Sequence, residues 1–247
     1  MNRFATQGVT SADLAAYSQS MRMLFITANR LGDAVMTTGL YDAFAAAAPD
    51  LRAWVAASPL AASLFEAAPG LERIHPLVKR PRKAHWLRLY RAVALRRWDL
   101  IVDLRDSAVS RLTPFAKRRI IVGKTSFAQH KVPALSAAVG LDAPATPRLW
   151  FAPHHRAEAE RRVPLGPPAL AIAPGANWIG KRWRPQFFAE LARRALGPNG
   201  PFAGGRLVVV GADEDRAAAA ATLAALPRPR VIDLVGAVDP LTTGACL

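Results

Sequence analysis

The sequence has 247 residues, 51% of them hydrophobic, and a formal net charge of +15. That length can bury a sizeable core in one large or two small domains, and the apolar fraction excludes a disordered chain. No apolar run approaches the ~18 residues of a membrane span, and residues 1–20, with one Arg and no apolar centre, do not read as a signal peptide. They read as a loose polar extension, with Met21 a candidate start. The single cysteine, Cys246, excludes an internal disulfide and suits a reducing cytoplasm. Arg supplies 27 of the 33 basic residues. Codon bias of a GC-rich genome explains such a skew; so does an anionic partner such as a phosphorylated sugar, a nucleic acid or a membrane surface. Both explanations stand at this point.

Taken in chain order, Leu24, Phe25, Ile26 and Thr27 predict a buried strand. A short polar loop follows, and a helix is expected over 34–48 with Asp33 as its N-cap. A strand is expected at 51–57, a helix from Ser58-Pro59 to about Ala68, and a short strand at 71–78 after Pro69-Gly70. Residues 79–97 hold eight Lys or Arg and no acid, with Trp86, Leu89, Tyr90, Val93 and Ala94 at helical spacing. They predict one basic amphipathic helix, either a solvated face or a surface for anionic partners. A strand at 98–104, a helix to about Phe115 and a strand at 120–122 complete a β-α alternation, which implies a mostly parallel, doubly wound sheet. Residues 131–150 contain one short helix, and 150–162 a connecting strand and helix.

The stretch 163–168, Val-Pro-Leu-Gly-Pro-Pro, predicts a linker between a domain over 21–162 and a second unit over 169–247. The second unit repeats the opening: strand 169–173, loop 174–183, a helix with Pro185 in its first turn that ends at Gly197, strand 206–210, loop 211–215, helix 216–226 and strand 231–235. Three strands are few for an open α/β sheet, so 169–247 is expected to be an incomplete domain.

No GxGxxG, Walker A, HExxH, CxxC or GxSxG pattern occurs. The adjacent His154-His155 pair reads as solvated or bridging instead of metal-binding. Two stretches stand out: Arg30-Leu31-Gly32-Asp33 with Thr37-Thr38 one turn along, and Pro174-Gly175 with Asn177, Lys181 and Trp183. Asp33 is either a helix cap or a carboxylate at the exit of a sheet, where a general base is useful. Lys181 is the only lysine after residue 131 in a chain that prefers Arg, and an ammonium pairs strongly with a diphosphate. Trp183 reads as a packing residue at the helix start. Asp213 is either an acceptor for ribose hydroxyls or a cap for the helix after it.

These stretches carry a resemblance. R-L-G-D-A-V-M-T-T-G-L, W-D-L-I-V-D-L-R, P-G-A-N-x-x-x-K-x-W-x-P-x-x-F-A-x-L-A, V-V-V-G-A-x-x-D and V-I-D-L-V-G occur in this order over roughly residues 22–240. They resemble the heptosyltransferases of glycosyltransferase family 9, which add heptose from an ADP-activated donor to the lipopolysaccharide inner core. The resemblance implies a GT-B fold, two Rossmann-like domains with the acceptor on the first and the nucleotide sugar on the second. It implies an inverting transfer with no cofactor and no metal. Asp33 matches the family's proposed base and Lys181 a donor-phosphate contact, with Gly32, Thr37, Thr38, Asn177 and Asp213 as further substrate contacts. The implied partners are ADP-heptose and a phosphorylated lipopolysaccharide core acceptor. The implied location is cytoplasmic, with peripheral contact to the anionic inner-membrane face, and no nucleic acid is expected.

The chain departs from the family in one place. Members continue past V-I-D-L-V-G into an Asp-Ser/Thr-Gly loop with a nearby His that cradles the diphosphate. Here no His follows His155, and Leu241-Thr242-Thr243-Gly244 does not match that loop. A fragment or frameshifted product, with weak or no activity and a poorly stable C-terminal unit, is therefore expected. The alternatives are a transferase for another nucleotide sugar on the same fold, and a basic α/β protein that binds nucleic acid or anionic surfaces.

Overall fold

The computed structural model describes residues 20–79, 81–123 and 130–247. The expected loose extension lies outside the described residues except for Ser20, which opens the first strand. The chain divides into two units, Met1–Trp150 and Phe151–Leu247.

The first unit carries five parallel strands: β1 (Ser20–Ile26), β2 (Asp50–Ala57), β3 (Leu71–Pro76), β4 (Trp98–Asp103) and β5 (Ala116–Ile121), in the order β3-β2-β1-β4-β5. Strand β1 is central, and its residues from Met23 to Ile26 are buried on both faces, as a parallel sheet covered on both sides requires. Alternation then divides its side chains. Phe25 packs with Tyr41, which also meets Phe65 and Trp150, at ring separations of 5.4–5.6 Å. Leu24 and Ile26 point to the other face, among Trp54, Leu77, Leu89, Val93, Trp98 and Ile101. The Tyr41 hydroxyl donates to the Pro69 carbonyl at 2.8 Å, so the one polar atom of that aromatic core is paired. Burial pushes the Tyr41 hydroxyl well above its ordinary pKa.

The helices of this unit are α1 (Leu31–Ala47), α2 (Pro59–Ala62), α3 (Ala84–Val93), α4 (Ala108–Leu112) and α5 (Lys131–Ala138). Three of them correct the sequence expectation. Helix α1 begins at Leu31 with the extended Arg30 as its N-cap, so Asp33 is the third helical residue and caps nothing. The basic helix spans Ala84–Val93 and not 79–97, because Arg82 and Lys83 take left-handed backbone angles (φ 49° and 56°) that a helix cannot contain. The helix expected from 59 to 68 is α2, continued only as far as Phe65 by a 3-10 turn. Strand β5 begins at Ala116, four residues before the expected start.

Residues 145–150 return across α1. A Cβ at Gly39 would overlap the carbonyls of Ala145 and Thr146, so only glycine admits this crossing. The Arg148 amide donates to Thr38 Oγ1 at 2.9 Å, and Trp150 Nε1 donates to Asp42 at 3.3 Å.

The second unit contains α6 (Pro153–Arg162), β6 (Ala169–Ile172), α7 (Pro185–Leu196), β7 (Arg206–Val209), α8 (Arg216–Leu223), β8 (Val231–Asp233) and α9 (Pro240–Cys246). The strands are parallel in the order β6-β7-β8. Ile172, Ala189, Ala192, Leu196, Leu207, Val209, Ala219 and Val235 form its core. The division of the chain falls between Trp150 and Phe151 and not at 163–168, because α6 packs on α9 and belongs with the unit that follows it. No strand forms at 150–152, and 163–168 is the link from α6 to β6. His155 is buried, with Nδ1 accepting from the Ala152 amide at 3.1 Å, which makes it a structural histidine of the α6 start. Among the described residues, no helix is long and apolar enough to cross a membrane.

Candidate functional site

The strand order of the first unit reverses direction at β1. Sequence-adjacent connections run to one side through β2 and to the other through β4. In open α/β sheets this switch point leaves a crevice at the carboxyl ends of the strands. A cleft of about 570 Å³ lies there. Ala28, Asn29 and Arg30 line it from the exit of β1, Leu104, Arg105 and Asp106 from β4, Val122 and Gly123 from β5, with Asp33 of α1 and Lys131 of α5.

Asp33 is about a third exposed, and its Oδ1 accepts from Lys131 Nζ at 2.7 Å. It stands at the third position of α1 and not at the N-cap, which is Arg30. Its place in the first turn still suits the positive end of the helix dipole. Of the two readings of this carboxylate, the structure removes the cap.

The β4 exit is built around a residue that sequence reasoning passed over. Asp103 is fully buried, and its carboxylate accepts from the Arg105 amide at 2.9 Å, the Ser107 amide at 2.9 Å and the Ser107 hydroxyl at 2.5 Å. This Asx-type turn fixes Arg105 on the cleft wall. The Arg105 guanidinium lies over the Trp86 ring at 5.4 Å, and its Nη1 is buried without a hydrogen-bond partner among the described residues. Burial draws its pKa down, and the nearby Asp103 carboxylate acts in the opposite direction. Three cations and two acids thus line the cleft, a surface suited to an anionic substrate.

Thr37 and Thr38 do not reach it. Thr37 is 2% exposed, and its hydroxyl meets Thr27 Oγ1 at 2.6 Å and the Ala34 carbonyl at 2.7 Å. Thr38 is fully buried, donating to the Val35 carbonyl while it accepts from Arg148. Both hydroxyls are engaged within the fold: they tie α1 to the end of β1 and to the returning 145–150 segment. Gly32 is exposed in the first turn of α1, where an added Cβ would meet nothing within 4 Å, so packing does not demand glycine there.

In the second unit, Asn177 and Lys181 lie exposed on the loop between β6 and α7. Lys181 has no ion-pair partner among the described residues, whereas its neighbour Arg182 donates to the Ala176 carbonyl at 2.9 Å and lies 4.0 Å from Asp215. Trp183 packs on Phe187 and Phe188 at 5.4 and 5.1 Å. Asp213 is exposed in the loop after β7, beside Gly236 in the loop after β8. It does not cap α8. Asp215 holds the N-cap position of α8 without a capping bond from its side chain; that carboxylate instead accepts from the Ala212 amide at 3.1 Å and fills the space where a Gly175 side chain would stand. Gly175 and Asp215 therefore fit together as a pair, which neither motif reveals alone. Asn177, Lys181 and Asp213 lie on the loops that leave the carboxyl ends of β6 and β7. No three His, Cys, Asp or Glu side chains converge on a metal-sized site among the described residues.

Fold and crevice define the class: an α/β protein of GT-B-like architecture, with parallel, Rossmann-like sheets in each unit. No family model matches the sequence, and no curated protein matches it. Solved structures do. The chain is similar to a glycosyl transferase family 9 protein from Veillonella parvula, with a TM-score of 0.72 and 16% identity, over 92% of this chain and 73% of that one. It is similar to ADP-heptose lps heptosyltransferase II of E. coli, with a TM-score of 0.66 and 20% identity, over 92% and 76%. E. coli heptosyltransferase WaaC, solved with ADP-2-deoxy-2-fluoro heptose, gives 0.62 and 15% over 91% and 79%. At these identities the likeness is one of fold.

Proposed function

We propose that the protein is an inverting glycosyltransferase of the heptosyltransferase type, with ADP-heptose as donor and a phosphorylated lipopolysaccharide core sugar as acceptor. The observation that carries the proposal is the Asp33 carboxylate: it stands in the switch-point cleft of a fold shared with glycosyltransferases, released from capping and held by Lys131. In this reading the acceptor hydroxyl gives its proton to Asp33 while its oxygen bonds to the anomeric carbon. The bond from that carbon to the diphosphate breaks, and the leaving group departs with the electron pair. Lys181 pairs with the developing diphosphate charge, Asn177 orients it, and Asp213 accepts from the ribose. Arg30 and Arg105 meet the acid groups of the acceptor. No metal or cofactor enters the scheme. The exposed basic residues Lys79, Arg82, Lys83, Arg88 and Arg91 support work at the anionic cytoplasmic face of a membrane, where a lipid-linked acceptor sits.

The test is a donor comparison on the purified protein. Calorimetric titration with ADP-heptose, UDP-glucose and random duplex DNA is followed by NMR of the glycoside formed when core acceptor is added. Saturable binding of ADP-heptose and a product of inverted anomeric configuration are expected. Salt-sensitive binding of DNA with no binding of any nucleotide sugar contradicts the proposal.

A further inference from the structure

We propose that Lys131 is the positioning residue for Asp33: it grips one carboxylate oxygen and leaves the other for the acceptor hydroxyl. This inference rests on the glycosyl-transfer reading above. The two side chains belong to separate helices 98 residues apart in sequence, yet Nζ lies 2.7 Å from Oδ1 inside the cleft. A carboxylate at the third position of a helix would otherwise turn back to the free first-turn amides. Lys131 draws it outward, into the space lined by Arg30, Arg105 and Gly123.

The lysine is itself held. It opens α5, which packs on α1. Buried Ser136 anchors that helix, its hydroxyl donating to the Val132 carbonyl at 2.9 Å and accepting from the Ala145 amide at 2.9 Å. The same returning segment is bonded to α1 through Thr38. Helix α1, helix α5 and the 145–150 crossing thus form one frame that fixes both ends of the ion pair. A pair this exposed adds little to folding stability. Its effect lies in geometry, where the orientation of a reacting group is worth large factors in rate. During transfer the acceptor proton moves to the free Asp33 oxygen, and the oxygen held by Lys131 stays bonded to it. The ammonium gives up no proton and touches no reacting atom.

The test uses the purified protein with ADP-heptose and lipopolysaccharide inner core, comparing K131M, K131R and D33N by kcat, donor KM and thermal midpoint. K131M is expected to lower kcat roughly 10- to 100-fold, with donor KM within about twofold of the unsubstituted enzyme and an unchanged thermal midpoint. K131R is expected to recover most of the loss, since it restores the donor. An inactive D33N together with a fully active K131M overturns the role of Lys131 alone. A K131M loss that is matched by a fall in thermal midpoint and not rescued by K131R also overturns it, as a merely structural effect. An active D33N, or an unsubstituted enzyme without turnover, overturns the glycosyl-transfer reading and this inference with it. As a readout that needs no turnover, the Lys131 Nζ proton resonance is expected to be protected from exchange and to lose that protection in D33N; identical exchange in both contradicts the pairing.

Discussion

The two units place their polar groups in different ways. In the first, the groups around the cleft are fixed before any ligand arrives. Asp103 is buried with three donors, Thr27 and Thr37 lock the base of α1 to β1, and Lys131 holds Asp33. Around them stand a five-stranded sheet and the Phe25, Tyr41, Phe44 and Phe65 core. In the second, a three-stranded sheet of three- and four-residue strands carries loops on which Asn177, Lys181 and Asp213 stand in solvent. Its core mixes Ile172, Leu196, Leu207, Val209 and Val235 with Ala189, Ala192 and Ala219, which bury little area each. The first arrangement suits chemistry, which needs a base held to a fraction of an ångström. The second suits the capture of a charged ligand that completes its own surroundings.

Substitutions can break this contrast. The largest stability effect is expected at Asp103. In D103A two amides and a hydroxyl lose their acceptor in a buried site, at a cost of about 3 kcal/mol. A lower urea midpoint for the first unit, with loss of turnover, checks this; an unchanged midpoint would mean that the β4 exit is not preformed. Lys181 should behave in the opposite manner. K181A is expected to weaken ADP-heptose binding about 10-fold, the value of one charge-assisted contact, and to leave the unfolding midpoint where it was. A drop in stability without a change in donor affinity would make Lys181 a structural residue and erase the contrast.

Much of this architecture is legible in local sequence. The apolar stretch through Leu24–Thr27, the Gly and Pro breaks and the Pro185 helix start each encode their element within a few residues, and the β-α alternation then dictates parallel sheets. Asp33 was visible because it lies in a short motif at a strand exit. Its partner Lys131 carries no such mark, because no local signal spans 98 residues. Residue type favours Asp33 as the cap for a related reason: Arg30 takes the extended cap position without using its side chain, a choice that residue type does not announce. Thr37 lies one turn after Asp33 and reads as a neighbour in the site, but the Thr27 hydroxyl draws it into the sheet. The 79–97 stretch reads as one helix because its apolar residues from Trp86 to Ala94 are helically spaced, and the left-handed backbone of Arg82 and Lys83 puts its start at Ala84. Asp215 was hidden behind Asp213, since only the close approach of Gly175 shows which acid the loop is built on.

The central claim is that Asp33 is the base of a glycosyl transfer. The most direct measurement is the single-turnover rate of ADP release from bound ADP-heptose, with saturating core acceptor, in the protein and its D33N variant. Asparagine keeps the shape of the side chain and removes its ability to take a proton. The account predicts a rate at least about 100-fold lower in D33N, with unchanged donor affinity and an unchanged unfolding midpoint. An equal rate in the two proteins would contradict it.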